Sequence, residues 1–556
     1  MTEPSTRTRT LCELASLLCF AAAVAAALTT AVIFESMRSG RLSSYPRVDD
    51  VIYMARGARL YVAAHTDGIG SLVRDYAADP PHSPYASGVA ALGYSLLGVV
   101  DWAPYAVAGM MVGVFLTGVA WITRREPVWV RLGAILLAVC TPLLSASVHN
   151  LKADYACGML TALAATALVL RARTPRTLAR LGAGVFFGLA LLAKPTAFPL
   201  TLAMLALSAA CVSGIDARGR PVRRPVRTIG LGFLPVAAGA AVVSGWHFVL
   251  AGGRTGRYVA EVLWGDQHDQ WTYHASIIDH LLYYLTGPGG RLMLGRELIP
   301  LGTLIALSAI LVLLRRRTAE LVLAGKLALL LLAAYAVPTI SPTKIAQFGA
   351  TSQALAVLVA SVGVVFLCRA ARRASAAAVR RTLYTGVIIS CLLAPLLFQW
   401  TFPRMRPDGG AARRAVRDDR TIAVRRIVDA ALNAAPEKGS VIAILAGPGE
   451  VNSDLLTLES IRRGMSVRIV QMYAPQPREQ FDLLLSTADV IVANDGETGL
   501  TLAKRAVPGA DAEMLAAVRS QGGLVEVGTV VLESAGGRFH VLVQAGRIPP
   551  TSPRPR

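Results

Sequence analysis

Long apolar runs fill the first part of this chain and constrain what it can fold into. Crossing roughly 30 Å of hydrocarbon takes about 20 helical residues, and stretches of this kind recur through residues 1–402 and then stop. The hydrophobic fraction is 54% and the charged fraction 16%, unlike a soluble globular protein. The sequence therefore predicts a polytopic α-helical membrane protein. The eleven expected spans are 11–35, 103–122, 130–148, 155–171, 181–193, 196–213, 229–250, 297–314, 320–338, 350–368 and 382–400.

The first, fifth and sixth of these spans are less simple than the others. The run at 11–35 is too long for the apolar core of a signal peptide and leads to no small-residue cleavage site, so we expect it to be retained. The fifth and sixth spans are almost continuous, and only Lys194 and Pro195 interrupt them. Since proline breaks a helix, a short hairpin is expected there.

Basic residues in the short loops predict the orientation. One set of loops, beginning with the N-terminal tail, holds 23 Lys and Arg, while the opposite set holds only Lys152, Lys194 and Lys344. By the positive-inside rule, the N-terminus is cytoplasmic. Loops 36–102 and 251–296 and the C-terminal domain are then extracytoplasmic. The Ala- and Arg-rich composition and the lack of organelle targeting favour a bacterial cytoplasmic (inner) membrane.

The net charge of +21 follows from the same loops. A nucleic-acid-binding protein would gather its basic residues on one soluble surface, so no nucleic acid is expected as a partner. All seven cysteines lie in or beside apolar spans, and the exported domain has none. No disulfide framework or thiolate metal site is therefore predicted.

The C-terminal part of the sequence lacks the long apolar runs of residues 1–402. After a basic linker at 403–420, helices and strands alternate through 421–548, which predicts a small α/β domain with a mainly parallel sheet and a closing antiparallel pair. Residues 549–556 are expected to be a disordered tail. The stretch "AGPGEVNSD" follows a strand, but it lacks the glycine and lysine patterns of nucleotide loops. The domain is a candidate for recognising the acceptor.

The first outer loop, 36–102, begins with an acidic pair, Asp49 and Asp50, at the head of an amphipathic helix. Carboxylates there can cap the helix. One Asp is enough for a cap, however, and two adjacent carboxylates near a low-dielectric surface favour a bound cation or substrate. Both readings remain open. Asp154 follows the third span and Lys194 ends the fifth, on the same predicted side.

Two other outer segments carry polar and aromatic residues. The stretch "DPPHSPYASGVAALGYSLLG" leads into an apolar helix of about 15 residues, too short to cross a bilayer. The loop 251–296 contains Arg254, Arg257, Trp264, Trp271 and Tyr273. It is either an aromatic belt with solvated loop residues or a wall that binds anions and sugar rings.

Residues 10–400 resemble the membrane-embedded glycosyltransferases of the GT-C superfamily, most closely the protein O-mannosyltransferase and aminoarabinose-transferase branch. The resemblance rests on Asp49 and Asp50, on the Pro-Pro stretch before a juxtamembrane helix, on the "LLAKPTAFPLTL" hairpin, and on Asp154. In this chain Asp79 precedes the Pro pair and His82 follows it. Several relatives have a Lys or acidic residue before the pair and a bulky apolar residue after it. The preference of those relatives for a particular sugar donor is therefore not carried over to this chain.

The resemblance implies a polyprenyl-phosphate-linked sugar donor and, as acceptor, a hydroxyl of an envelope glycan, lipid or protein, with membrane lipid as surroundings. An Asp would act as general base, and cations would hold the departing lipid phosphate. No cofactor is firmly implied. A divalent cation remains open, and His268 or His274 with Asp266 or Asp269 is a weak candidate metal site.

The expected catalytic residues are Asp49, Asp50 and Asp154; the phosphate-binding residues are Lys194, Arg257 and Lys344; the substrate-binding residues are Arg56, His82, Tyr85, Trp271 and Tyr273.

Two other classes of function compete. A transporter or flippase of lipid-linked sugars would also have many spans, but such proteins usually show internal repeats and charges near the bilayer midplane. The sequence shows neither. The second alternative is a non-catalytic subunit of envelope assembly, with the exported domain as its working part. Replacing the acidic pair separates these alternatives, because assembly would survive Asp49→Asn and Asp50→Asn whereas sugar transfer would not.

Overall fold

A computed structural model describes most of the chain. The described residues are 6–39, 41–42, 49–170, 177–213, 225–265, 272–401, 411–435, 439–445, 451–472, 478–495, 510–532 and 537–545. The helices before the α/β domain are α1 (Thr6–Arg38), α2 (Asp49–Thr66), α3 (Gly68–Ala78), α4 (Pro84–Leu97), α5 (Ala103–Thr123), α6 (Val128–Val139), α7 (Pro142–His149), α8 (Ala153–Leu170), α9 (Thr177–Ala193), α10 (Phe198–Ser213), α11 (Pro225–Trp264), α12 (Ile277–Leu282), α13 (Pro288–Met293), α14 (Leu298–Arg315), α15 (Thr318–Ile340), α16 (Ala350–Arg373) and α17 (Ala377–Thr401).

All eleven predicted spans coincide with apolar helices. Within the described ranges, nine helices are long and apolar enough to cross a membrane, and the bent pair α6 and α7 adds a tenth. The shorter apolar helix α9 lies at the fifth predicted span. Hydropathy works well here because a backbone in lipid must satisfy its own hydrogen bonds, which a helix does. The protein is a multi-pass membrane protein.

Prolines mark the two breaks between closely spaced helices. α6 and α7 meet at an angle of 54°, with Pro142 in the first turn of α7. The expected hairpin after α9 is confirmed as a single 3₁₀ turn, Pro195–Ala197, preceded by Lys194 in a non-helical conformation. Proline has no N–H and disfavours a helical residue before it, so both breaks follow from local sequence.

The chain divides into two compact units. The first, here called the membrane unit, comprises Met1–Phe34, Arg74–Val89 and Tyr105–Pro407. The second, here called the C-terminal unit, comprises Glu35–Val73, Ala90–Pro104 and Asp408–Arg556. The helix that carries the acidic pair, α2, is thus grouped with the α/β domain.

Glycines bring α9 and α11 of the membrane unit into close contact. A Cβ atom added at Gly184 would lie 2.1 Å from the carbonyl oxygen of Val236, and one at Gly188 would lie 2.7 Å from that of Ala240. Glycines four residues apart let two membrane helices approach backbone to backbone. This contact holds the middle of α9 against α11.

The α/β domain of the C-terminal unit is a five-stranded sheet in the order β2-β1-β3-β5-β4. β1 pairs in parallel with β2 and β3, and β5 pairs antiparallel with β3 and β4. The predicted mixture of parallel strands and a closing antiparallel pair is confirmed. The elements are α18 (Ala411–Ala434), β1 (Val441–Leu445), α19 (Ser453–Arg462), β2 (Arg468–Met472), α20 (Arg478–Thr487), β3 (Val490–Asn494), α21 (Ala510–Ser520), β4 (Leu524–Leu532) and β5 (Gly537–Gln544).

Helices cover both faces of this sheet. Ile442 and Ile444 of β1 belong to one apolar cluster with residues of α18 and α19, whereas Ala443 and Leu445 belong to another with residues of α20 and α21. Strands buried on both faces read as continuous apolar runs, which is why "VIAIL" and "VIVA" were recognisable in the sequence. The first helix begins at Ala411, within the predicted linker, rather than near 421. Most of "AGPGEVNSD" and the whole of 549–556 lie outside the described residues.

We expect Gly184→Ala to destabilise the membrane unit, because the new methyl group would collide with the backbone of α11. Overpacking of this kind usually costs about 1–3 kcal/mol. Gly182→Ala is the matched control, since a Cβ two residues earlier on α9 meets nothing within 4 Å. Thermal unfolding of the detergent-solubilised protein measures both. Equal melting temperatures for the two variants would contradict the packing described here.

Candidate functional site

Asp154 and Lys194 form a buried ion pair in the membrane unit. Asp154 lies in the first turn of α8, where the positive end of the helix dipole favours a carboxylate. The Lys194 Nζ atom is 3.5 Å from a carboxylate oxygen of Asp154, and only 13% and 6% of the two side chains are exposed. Because an isolated buried charge is costly, each stabilises the other. The structure thus brings together two residues that the sequence singled out separately.

The Pro-Pro stretch lies against the same hairpin. The Ser83 hydroxyl donates a hydrogen bond of 2.6 Å to the carbonyl oxygen of Ala193, the last residue of α9, and accepts one from the backbone N–H of Ala86. Pro80 and Pro81 are buried. Two sequence features of the predicted resemblance, "DPPHSP" and "LLAK", are therefore adjacent in the folded chain.

The exposed side of the Pro-Pro stretch faces the last turns of α11. Arg254 lies 3.3 Å from Asp79 in an exposed ion pair, a kind that is worth about 0–1 kcal/mol. The rings of His82 and Tyr258 pack edge to face with centroids 5.7 Å apart.

α11 continues to Trp264, so the segment from 251 that was expected to be a loop begins as helix. Arg257 is exposed on this helix, and Tyr85 packs against the apolar core.

Lys344 closes the end of α15. Its ammonium group donates hydrogen bonds to the carbonyl oxygens of Pro338 (2.8 Å), Thr339 (2.7 Å) and Ser341. These carbonyls are among those that a helix end leaves without an intrahelical partner. Burial lowers the pKa of Lys344 to about 8. All three donors of the ammonium are used by the backbone, so binding of a phosphate, which stays a prediction, would require them to be released.

Tyrosines surround the segment that carries Lys344. The backbone N–H of Tyr273 donates to the carbonyl oxygen of Pro342 (3.0 Å), and the ring of Tyr273 packs edge to face on Tyr283. Tyr284 is fully buried, and burial, aided by Tyr283 and by the Asp154 carboxylate, raises the pKa of its phenol.

The acidic pair belongs to the C-terminal unit. Asp49 and Asp50 occupy the first turn of α2, as predicted, and Asp50 is 8% exposed. An Arg41 guanidinium nitrogen lies 4.0 Å from the Asp50 carboxylate. Arg56, one of the expected substrate-binding residues, is also buried in α2. A basic side chain beside the pair reduces the repulsion between the carboxylates.

Two further buried polar side chains escaped the sequence analysis. Among the residues that the structure describes, neither the Glu297 carboxylate nor the Gln353 amide has a hydrogen-bond partner, although Glu297 is 0% and Gln353 1% exposed. Buried polar groups without partners are rare and are kept where they serve a function or meet water. The run "TSQ" inside the apolar span at 350–368 was the available signal for Gln353.

Over the described ranges, no group of three or more His, Cys, Asp or Glu could hold a metal ion. Asp266, His268, Asp269 and Trp271 lie outside those ranges, and His274 is exposed. The metal site expected in this segment and the role expected for Trp271 stay predictions.

The apolar helices and the sheet domain define a polytopic membrane protein that shares its fold with a solved structure. The chain is similar to ArnT from Cupriavidus metallidurans in the apo state, with a TM-score of 0.55 and 12% identity over 94% of this chain and 99% of that one. It is also similar to ArnT bound to undecaprenyl phosphate, with a TM-score of 0.52 and 13% identity over 95% and 99% of the two chains.

Sequence comparison adds a narrower match. Residues 80–242, which include the Pro-Pro stretch, Asp154 and Lys194, match the family described as dolichyl-phosphate-mannose-protein mannosyltransferase. No curated protein sequence matches the chain significantly. The predicted resemblance to the O-mannosyltransferase and ArnT branch is confirmed.

We expect Asp154 and Lys194 to be energetically coupled. In a double-mutant cycle with Asp154→Asn and Lys194→Met, residues in direct contact typically show coupling of about 0.5–3 kcal/mol. Unfolding of the four proteins in mixed micelles measures it. If the two single effects simply add, the ion pair does not contribute to stability.

We expect Lys344 to lose its proton near pH 8, because burial disfavours the ammonium. Below this pH the side chain is charged, and above it one carbonyl contact is given up. Competitive acetylation of the purified protein across pH 6–11, read by mass spectrometry, reports the pKa of each lysine. A midpoint near the usual value of about 10.4 would show that the three carbonyls outweigh burial.

Proposed function

We propose that the protein is a membrane glycosyltransferase that moves a sugar from a polyprenyl-phosphate donor to an acceptor hydroxyl on the extracytoplasmic side of a bacterial inner membrane. The observation that carries this proposal is the buried Asp154–Lys194 pair, joined through Ser83 to the Pro-Pro stretch, in a chain with the fold of ArnT. One ArnT structure contains undecaprenyl phosphate, which supports a lipid phosphate as part of the donor.

The residues suggest a division of roles. Asp49 removes the proton from the acceptor hydroxyl while the acceptor oxygen forms a bond to C1 of the sugar. The bond from C1 to the phosphate oxygen breaks, and its electron pair leaves with the lipid phosphate. Asp50 orients the acceptor, and Asp154 is the remaining carboxylate that we expect to act in catalysis. No acid is needed for departure, because a phosphate is already a good leaving group.

Cations stabilise the charge that develops on the phosphate. Lys194 is the first candidate, since its ammonium is held in the membrane unit by Asp154 and is mostly buried. Arg257, exposed on α11, is the second, and Lys344 would act only after exchanging its carbonyl partners. Arg56, His82, Tyr85, Trp271 and Tyr273 remain the candidates for contact with the substrates.

We expect Asp49→Asn to lower transfer by about 10²- to 10⁴-fold, the usual contribution of a general base. Purified protein in lipid nanodiscs would be incubated with a panel of labelled polyprenyl-phosphate sugars and an envelope extract as acceptor. Released lipid phosphate and labelled product measure the rate. Asp67→Asn is the matched control, because Asp67 is exposed just beyond the other end of α2.

The alternatives predict different results in this experiment. A flippase would move the lipid-linked sugar between leaflets without releasing lipid phosphate. An assembly subunit would give neither result, and Asp49→Asn would leave envelope assembly unchanged. Transfer that is independent of Asp49 would refute its assignment as the base.

A further inference from the structure

The C-terminal unit combines the acidic helix with a domain that is almost 400 residues further along the chain. Val51 of α2 is 1% exposed and belongs to the same apolar cluster as Ile427 and Val428 of α18 and Leu455 and Leu456 of α19. α2 packs directly on α19. The helix that begins with Asp49 therefore shares a hydrophobic core with the α/β domain.

A polar contact extends this packing along α2. The Arg59 guanidinium donates a hydrogen bond of 3.2 Å to the Thr457 hydroxyl of α19, and that hydroxyl donates to the carbonyl oxygen of Ser453 (2.7 Å). Val51, Ala55 and Arg59 are spaced by four residues, which places them along one face of the helix. That face is held at two points two turns apart, so both its position and its rotation are defined.

The end of α19 is fixed as well. The Arg462 guanidinium pairs with Asp101 and, at 2.6 Å, with Glu459. Burial lowers the pKa of Arg462, but the two carboxylates outweigh it, and the net pKa is raised. The guanidinium thus remains charged. Asp101 lies shortly before α5 in the chain, so α19 contacts two segments of the outer loop, one at each end.

We propose that the α/β domain is a positioning element for the acidic pair, and that Thr457 is one of its positioning residues. The inference rests on the proposed function. A short interfacial helix has little to fix its height and rotation, yet a misplacement of about 1 Å at a reacting group can cost roughly 100-fold in rate. The core shared by Val51 and α19, with the Arg59–Thr457 contact, supplies the constraint.

The test uses Thr457→Val and Thr457→Ser in the full chain in nanodiscs. Valine keeps the shape of threonine but cannot accept the hydrogen bond from Arg59, whereas serine can. For Thr457→Val we expect kcat to fall about tenfold while KM for the lipid donor changes less than twofold. Thr457→Ser should stay within twofold of wild type in both. Thr487→Val, on the exposed side of α20, is the matched control.

Hydrogen exchange separates positioning from loss of folding. In Thr457→Val, amides of α2 should exchange about tenfold faster, while amides of β1 and β3 keep wild-type protection. Thr457→Ser and Thr487→Val should leave both regions unchanged. Loss of protection in the strands as well would mean that Thr457 only stabilises the domain, which would overturn the proposal.

Two other outcomes would also overturn it. Wild-type kcat in Thr457→Val, with α2 protected or not, would show that the reaction does not depend on this contact. A wild-type protein that transfers no sugar from any donor would refute the proposed function itself. The positioning role in catalysis would fall with it, whereas anchoring of α2 by α19 would still be read from the exchange rates.

Discussion

The need to keep charge away from hydrocarbon shapes most of this structure. A charged group within a bilayer is expensive unless it is paired or reaches water, and here three ionisable groups of the predicted site lie at helix ends and hairpins. Asp154 begins α8, Lys194 follows α9, and Lys344 closes α15. The membrane helices themselves carry small and apolar residues, and glycines such as Gly184 let them pack closely. These charged side chains therefore lie at helix ends.

The segments that carry the candidate functional residues contact segments from distant parts of the sequence. Residues 80–83 lie against the end of α9, and the acidic helix lies against α19. Each contact depends on packing or on a single hydroxyl, Ser83 in one case and Thr457 in the other. Neutral contacts of this kind can position a nearby charged side chain without introducing another charge.

The sequence predicted the spans, the break at Pro195, the strands of the domain and the acidic start of α2, because each has a local cause in hydropathy or backbone chemistry. It did not predict the continuation of α11 to Trp264, since Arg254 and Arg257 suggested a loop although arginine is a good helix former. The carbonyl contacts of Lys344 and the burial of Glu297 depend on tertiary packing. The contact between Arg59 and Thr457 joins residues 398 positions apart, which no periodicity reveals.

The shared core of α2, α18 and α19 has a consequence for dissecting the chain. A fragment that began at α18 would lack Val51 and Arg59 and would expose the apolar surface that they cover. Such a surface favours self-association. The sheet domain is therefore a poor candidate for isolated expression unless the segment 49–66 is supplied, fused or in trans. If the chain were cut between α17 and α18, by contrast, the apolar contacts of α2 with α18 and α19 would favour association of the two fragments.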